Sequence, residues 1–210
     1  MNDITNDYLN KLIKKNHPLY EYHNKQKEDL IATITDDTLQ HIKVWIEAKK
    51  VQSILEVGTA TGASSMFFAS FIGENARILT IERDDRVYYE AKKAIAEKGF
   101  DENIEQLHAD ASEILESIDE KFDMIFLDGA KGQYIHMLDT LISKLNVGGI
   151  LFADNVLFKG MVTGETPLIK RKITIVKRLR MFLAEISKRD ELESSILPIG
   201  DGLSISIKKY

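Results

Sequence analysis

From residue 53 onward, short apolar runs alternate with stretches of helical periodicity. The runs are Ser53–Val57, Arg77–Ile81, Asn103–Leu107, Asp123–Leu127 and Gly149–Ala153, each of strand length. Between them, Ser64–Phe71, Asp85–Lys98, Ala111–Ser117 and Tyr134–Leu145 carry the spacing of amphipathic helices. Strand and helix in regular alternation predict a doubly wound α/β fold, a parallel sheet covered by helices on both faces. A long basic amphipathic helix is expected over Ile169–Lys188, followed by runs at Leu192–Pro198 and Leu203–Lys208. In the last run Leu203, Ile205 and Ile207 alternate with Ser204, Ser206 and Lys208, the pattern of a half-buried strand, so the final pair is expected to form an antiparallel edge. The first fifty residues read as helices. Leu9, Leu12 and Ile13 form one apolar stripe and Leu39, Ile42, Val44, Trp45 and Ile46 another, with Asp36 or Asp37 as the expected cap of the second. The chain is therefore read as one domain, a helical extension over 1–50 and an α/β core over 51–210.

Composition narrows the chemistry. The 210 residues include no cysteine, which excludes disulfides, thiolate metal sites and cysteine nucleophiles. The N-terminal stretch lacks the apolar segment of a signal peptide and no run is long enough to span a bilayer, so a cytoplasmic protein without membrane contact is expected. The formal net charge is −5, but it is unevenly spread. Between Lys159 and Arg180 stand Lys159, Lys170, Arg171, Lys172, Lys177, Arg178 and Arg180 against Glu165 alone, a local charge of +6 that leaves −11 on the remainder. Such a segment reads either as a solvated helix face or as an electropositive patch on an acidic protein.

Ligands of doubly wound sheets bind beyond the carboxyl ends of the strands, and those ends carry the candidate residues. The first strand runs into Glu56-Val57-Gly58-Thr59-Ala60-Thr61-Gly62-Ala63-Ser64. Its glycines are four apart, with an acid two residues before the first, unlike the dinucleotide fingerprint. That spacing disfavours a nicotinamide-dependent dehydrogenase and suits a zwitterionic amino acid joined to a ribose. The second strand ends at Glu82-Arg83-Asp84, where a carboxylate is placed to accept both ribose hydroxyls. The third ends at His108-Ala109-Asp110-Ala111, where Asp110 and the Ala111 amide can meet an adenine edge.

The fourth strand ends in Asp128-Gly129-Ala130-Lys131 and the fifth in Asp154-Asn155. Strands four and five are neighbours in the usual winding, so Asp128, Asp154 and Asn155 should converge. Two carboxylates and an amide oxygen form a hard-oxygen set suited to Mg²⁺ or another divalent cation; the alternative is that Asp-Gly and Asp-Asn only turn the chain. His17, His23, His41, His108 and His136 show no ligand spacing, which argues against zinc. Ser64 lacks the nucleophile-elbow pattern.

The segments EVGTATGAS, TIERD, HADA, FLDGAKGQY, ADNVLFKG and PIGDGLSIS resemble, in order, the metal-dependent class I O-methyltransferases, the family of catechol and caffeoyl-CoA O-methyltransferases, over about residues 30–208. GAKGQY, ADNVLFKGMV, the basic helix and PIGDG are most similar to bacterial tRNA 5-hydroxyuridine methyltransferases. The resemblance implies a Rossmann-like methyltransferase fold, and that Ile34, Glu56, Gly58, Thr59, Ser64, Glu82, Arg83, Asp110, Ala111 and Asp128 hold S-adenosylmethionine. It implies further that Asp128, Asp154 and Asn155 bind the metal and that Lys131, with Asp128, serves the acceptor hydroxyl. Lys159, Lys170, Arg171, Lys172 and Arg178 become the expected contacts to a tRNA anticodon stem-loop, the hydroxyl being that of a wobble 5-hydroxyuridine and the assembly a homodimer. The catechol enzymes carry a glutamate shortly before the Asp-Gly matching Asp201-Gly202, where this chain reads Ser194-Ser195-Ile196. A small catechol or phenol stands as the alternative acceptor, and a non-catalytic nucleotide- or RNA-binding module as the alternative class.

Overall fold

The computed structural model describes residues 3–29, 31 and 33–210; Leu30 and Ala32 of the helical extension lie outside them, as do its first two residues. Three helices precede the sheet: α1 (Asp3–Leu12), α2 (Leu19–Glu28) and α3 (Asp36–Lys49). Strands and helices then alternate as β1 (Ser53–Val57), α4 (Ala63–Ile72), β2 (Arg77–Glu82), α5 (Asp85–Glu97), β3 (Ile104–His108), α6 (Ala111–Ile114), β4 (Phe122–Leu127), α7 (Tyr134–Ser143) and β5 (Leu145–Ala153). The chain closes with α8 (Ile173–Ile186), β6 (Leu192–Leu197) and β7 (Leu203–Lys208).

The strands lie in the order β3-β2-β1-β4-β5-β7-β6. β1 to β5 run parallel, β7 runs antiparallel between β5 and β6, and the expected antiparallel edge is the β6–β7 pair. Alternate strand residues feed opposite layers. Leu55, Leu79, Ile125 and Leu151 pack with Tyr134, Leu138, Val176 and Phe182 from α7 and α8. Ile54, Ile78, Met124, Phe126, Ile150 and Phe152 pack with Leu39, Ile42, Phe67 and Phe68 from α3 and α4. Burial on both faces explains why the strands read as continuous apolar runs. Each such side chain contributes roughly 1.5–3 kcal/mol.

Two local expectations are corrected. The N-cap residue of α3 is Thr35, not Asp36 or Asp37. Asp37 accepts the Thr38 amide at 2.9 Å. Asp36 turns inward, with Lys15 and Lys27 at 2.5 and 2.6 Å and His23 Nε2 at 3.2 Å, which ties the segment before α2, α2 itself and α3 together. β5 begins at Leu145, four residues ahead of the expected Gly149, with its register against β4 shifted between Phe122 and Met124. The Gly148-Gly149 pair breaks the apolar pattern there.

The chain winds outward from β1 to β3 and resumes on the other side at β4, so the sheet reverses between β1 and β4. Among the described residues no helix is long and apolar enough to cross a membrane.

Candidate active site

A cleft of about 260 Å³ opens at this reversal, lined by Gly58, Ala60, Glu82, Asp110 and Asp128 among others. Its floor depends on glycine. Gly58 has φ +101°, and a Cβ there would stand 2.9 Å from Gly129 N and Cα. The two loops that end β1 and β4 therefore touch through backbone alone, a contact any side chain would prevent. Gly62, at φ +75°, then turns the loop into α4.

Behind the loop lies Glu56, fully buried. Its carboxylate accepts the Ser64 hydroxyl at 2.5 Å, the Thr80 hydroxyl at 2.6 Å and the Ser65 hydroxyl, while Thr80 and the buried Thr59 exchange a hydrogen bond at 2.8 Å. Burial pushes the Glu56 pKa up to about 7 against the pull of these donors. Glu56, Thr59 and Ser64 thus brace the loop from beneath. Ile34 is also buried, packed in the layer with Leu39 and Phe67.

Glu82 closes the second strand. One of its oxygens accepts the Arg83 and Asp84 amides at 2.9 Å and the other the Ala60 amide at 3.2 Å. This fixes the carboxylate across the mouth of the glycine loop. Asp110 caps α6, accepting the Ser112 hydroxyl and amide at 2.6 and 2.9 Å, and takes a bond from Arg83 Nη1 at 3.3 Å. The Ser112 bonds, then Arg83, hold it below its ordinary pKa, so Asp110 stays an acceptor. Arg83 and Ala111 complete that wall.

At the far wall, Leu127 and Ala153 are partners in the β4–β5 register, so Asp128 and Asp154 occupy the next position on each strand. Lys131 Nζ is 3.2 Å from Asp128 Oδ1. Burial raises the Asp128 pKa although Lys131 opposes it. Asp154 is 2% exposed, and burial followed by the Asp128 charge pushes it up to about 7. Asn155, left-handed at φ 55°, donates its amide to Asp154 Oδ1 at 2.7 Å. Among the described residues no group of three or more His, Cys, Asp or Glu could hold a metal ion; the oxygen donors here are two carboxylates and one amide.

Several contributors were not singled out from sequence. Gln133 and Met137 line the cleft one helical turn apart, a spacing visible after Lys131. Tyr134 is fully buried and donates its hydroxyl to the Leu127 carbonyl at 3.0 Å. Asp201 accepts the Lys159 amide at 2.5 Å, and its carbonyl accepts the Leu157 amide at 3.0 Å, bolting the loop after Asn155 to the β6–β7 turn.

The basic segment divides. Lys159, Lys170 and Arg171 are exposed, and Lys172 Nζ lies 5.6 Å from the Phe158 ring centroid. Arg178 Nη1 instead donates to the Gly132 carbonyl at 3.2 Å.

The O-methyltransferase family profile matches residues 7–209. Caffeoyl-CoA O-methyltransferase 1 of Arabidopsis thaliana is 31% identical over 186 residues, covering 83% of this chain and 71% of that protein. The crystal structure of a candidate caffeoyl-CoA O-methyltransferase from Staphylococcus aureus superposes with a TM-score of 0.91 at 32% identity, covering 98% of this chain and all of the other. The O-methyltransferase TomG of Streptomyces achromogenes, solved with S-adenosylmethionine, shares the fold, with a TM-score of 0.83 at 21% identity over 100% of this chain and 97% of its own. With the glycine loop and strand-end acids in place, the chain belongs to the S-adenosylmethionine-dependent O-methyltransferase family that includes the caffeoyl-CoA enzymes.

Proposed function

We propose that this O-methyltransferase acts on an acidic hydroxyl flanked by a second oxygen, with a divalent cation bound at Asp128, Asp154 and Asn155. The observation that carries the reading is the placement of Asp128 and Asp154 at register-adjacent strand ends, beside Lys131 and the glycine-loop cleft. The donor set fits a hard cation: burial raises the pKa of Asp128, and burial followed by the Asp128 charge raises that of Asp154, a cost that a divalent ion offsets. When bound, Mg²⁺ would lower the pKa of the acceptor hydroxyl and stabilise its oxyanion. The sulfonium methyl of the cofactor is already activated, so the chain's own work is alignment. Glu82 takes the ribose, Asp110 and the Ala111 amide the adenine edge, and Lys131 receives the hydroxyl proton or holds the oxyanion.

The caffeoyl-CoA relatives favour a small catechol or phenol as acceptor. A second reading, a wobble 5-hydroxyuridine in a tRNA anticodon stem-loop, is favoured by the basic segment. Its Lys159 belongs to the loop after Asn155, bonded through its backbone to Asp201, and Lys159, Lys170 and Arg171 are exposed, as phosphate contacts require. The test is methyl transfer to caffeoyl-CoA, 3,4-dihydroxybenzoate and a 5-hydroxyuridine stem-loop, with Mg²⁺ or with EDTA. Asp154→Ala should abolish metal-dependent turnover and leave cofactor binding intact; full activity of that variant in EDTA would refute the cation. Accumulation of unmethylated 5-hydroxyuridine in tRNA from cells lacking the protein would select the RNA acceptor.

A further inference from the structure

Two arginines of the basic helix direct their hydrogen bonds inward, onto backbone. Arg178 reaches the carbonyl of Gly132, the middle residue of the 3-10 turn Lys131–Gln133. That turn is closed by the Gln133 amide on the Ala130 carbonyl at 2.7 Å and carries the ammonium that stands beside Asp128. A Cβ on Gly132 would lie 3.6 Å from Ile175 Cγ1 and 3.9 Å from Arg178 Nη1, so α8 meets the turn at van der Waals distance. Arg180 does the equivalent for the loop after β5, donating from Nε to the Val162 carbonyl at 2.9 Å and from Nη2 to the Met161 carbonyl at 3.3 Å. That loop begins at Asn155 and holds three left-handed non-glycine residues, Asn155, Phe158 and Lys159, a conformation that persists only where neighbours enforce it.

We propose that Arg178 is a positioning residue for methyl transfer, anchoring the Lys131 turn to α8, and that Arg180 anchors the loop following Asn155 in the same way. The inference rests on the reading that Lys131 stands at the acceptor hydroxyl. A lysine side chain has several rotatable bonds, and its ammonium is useful only if the backbone beneath it is fixed. A charge-assisted bond from a guanidinium to a turn carbonyl supplies that fixity more strongly than a neutral donor. The assignment moves Arg178 from the substrate-contacting cations to the frame of the site, and leaves Lys159, Lys170, Arg171 and Lys172 as the outward set.

The test compares Arg178→Ala and Arg178→Lys with Lys177→Ala, an exposed cation on the same helix. Hydrogen exchange of the amides over residues 130–134 is read without acceptor, alongside cofactor affinity by calorimetry and kcat and KM with whichever of the three acceptors above is methylated. In Arg178→Ala, exchange in that segment should quicken and kcat should fall on the order of tenfold, the usual effect of removing a residue that orients a ligand-bearing group. KM and cofactor affinity should stay within about twofold, and added guanidinium should restore part of kcat. Lys177→Ala should leave the exchange of the turn unchanged. Unaltered exchange and kcat in Arg178→Ala would overturn the proposal. So would a steeply salt-dependent rise in KM with kcat preserved, which makes Arg178 a substrate contact. If wild-type protein methylates none of the three acceptors, the functional reading fails, while the exchange rates still decide whether Arg178 anchors the turn.

Discussion

Replacing Glu56 by glutamine tests how the glycine loop is held. Glu56 is fully buried at the end of β1, with hydroxyl donors from Ser64, Ser65 and Thr80 as its hydrogen-bond partners. Burial lifts its pKa from 4.5 to about 7, and at about 1.4 kcal/mol per unit the ionised form costs the folded state roughly 3 kcal/mol. The sign follows from proton binding. Between pH 4.5 and about 7 the folded chain holds a proton that the unfolded chain has released, so this contribution to stability is fully present below that window, falls as pH rises through it and is level above it. Glutamine carries no titrating proton. The unfolding free energy of Glu56→Gln should therefore gain on that of the wild type by roughly 3 kcal/mol from acid to neutral pH. Groups remote from Glu56 titrate equally in both proteins, so the difference reports Glu56 together with its coupling to Asp128. Urea unfolding across that range, with m-values checked for equality, measures it. A difference that stays constant to within about 0.5 kcal/mol would refute the reasoning. The variant should also bind S-adenosylmethionine more weakly, because a carboxylate accepts all three hydroxyls at once and an amide does not.

Gly58→Ala should destabilise by about 2–3 kcal/mol, from a left-handed φ of +101° and a Cβ driven to 2.9 Å from Gly129; thermal unfolding reads it, and an unchanged Tm would contradict the backbone contact. Asp36→Asn should cost about 1 kcal/mol, since Lys15 and Lys27 are 35% and 36% exposed and solvent screens them. Burial opposes the charge on Asp36, but His23, Lys15 and Lys27 hold its pKa well below the usual carboxylate range, so its contribution is present above the ordinary value and lost as pH falls, and the variant should converge with wild type in acid. Loading Mn²⁺ near pH 7 should release protons, because Asp154 titrates at about 7 in its absence. Calorimetry in buffers of different ionisation enthalpy measures the count, and a buffer-independent enthalpy would argue against Asp154 as a ligand.

Apart from the start of β5, sequence patterning reached the strands to within a residue or two, because burial on both faces leaves little room for polar side chains. It failed where few residues carry an element. The helix Leu19–Glu28 buries only Leu19, Tyr20 and His23, too few to form a readable stripe amid LYEYHNKQKE. An acid at the start of a helix suggests a cap at Asp36 or Asp37, but the partners of Asp36 are Lys15, His23 and Lys27, contacts between separate segments that no local pattern encodes. The site was more legible than the extension, since the winding delivers every strand end to one edge and an acid at a strand end needs no further information to be placed. Arg178 marks the limit. Its residue type signals charge, while its role depends on a carbonyl 46 positions away, and a carbonyl has no signature in sequence.

The acids of the chain gather around the cleft. The cleft presents Glu82, Asp110 and Asp128 against Arg83, with Glu56 and Asp154 buried behind it. Burial, and after it the Asp128 charge, raises the pKa of both Glu56 and Asp154, and Asp201 adds to the effect on Asp154, so these acids oppose one another's ionisation. An ordinary fold would not tolerate so many neighbouring acids with Lys131 and Arg83 as their close cations. In the proposed mechanism the counter-charges arrive as ligands, the sulfonium of the cofactor and a divalent cation held by Asp128 and Asp154. Each would then offset part of the charge that these acids carry. The basic segment cannot supply that relief from within, because Arg178 and Arg180 are turned onto backbone carbonyls. Its other exposed cations, Lys159, Lys170, Arg171 and Lys177, stand outside the lining of that cleft.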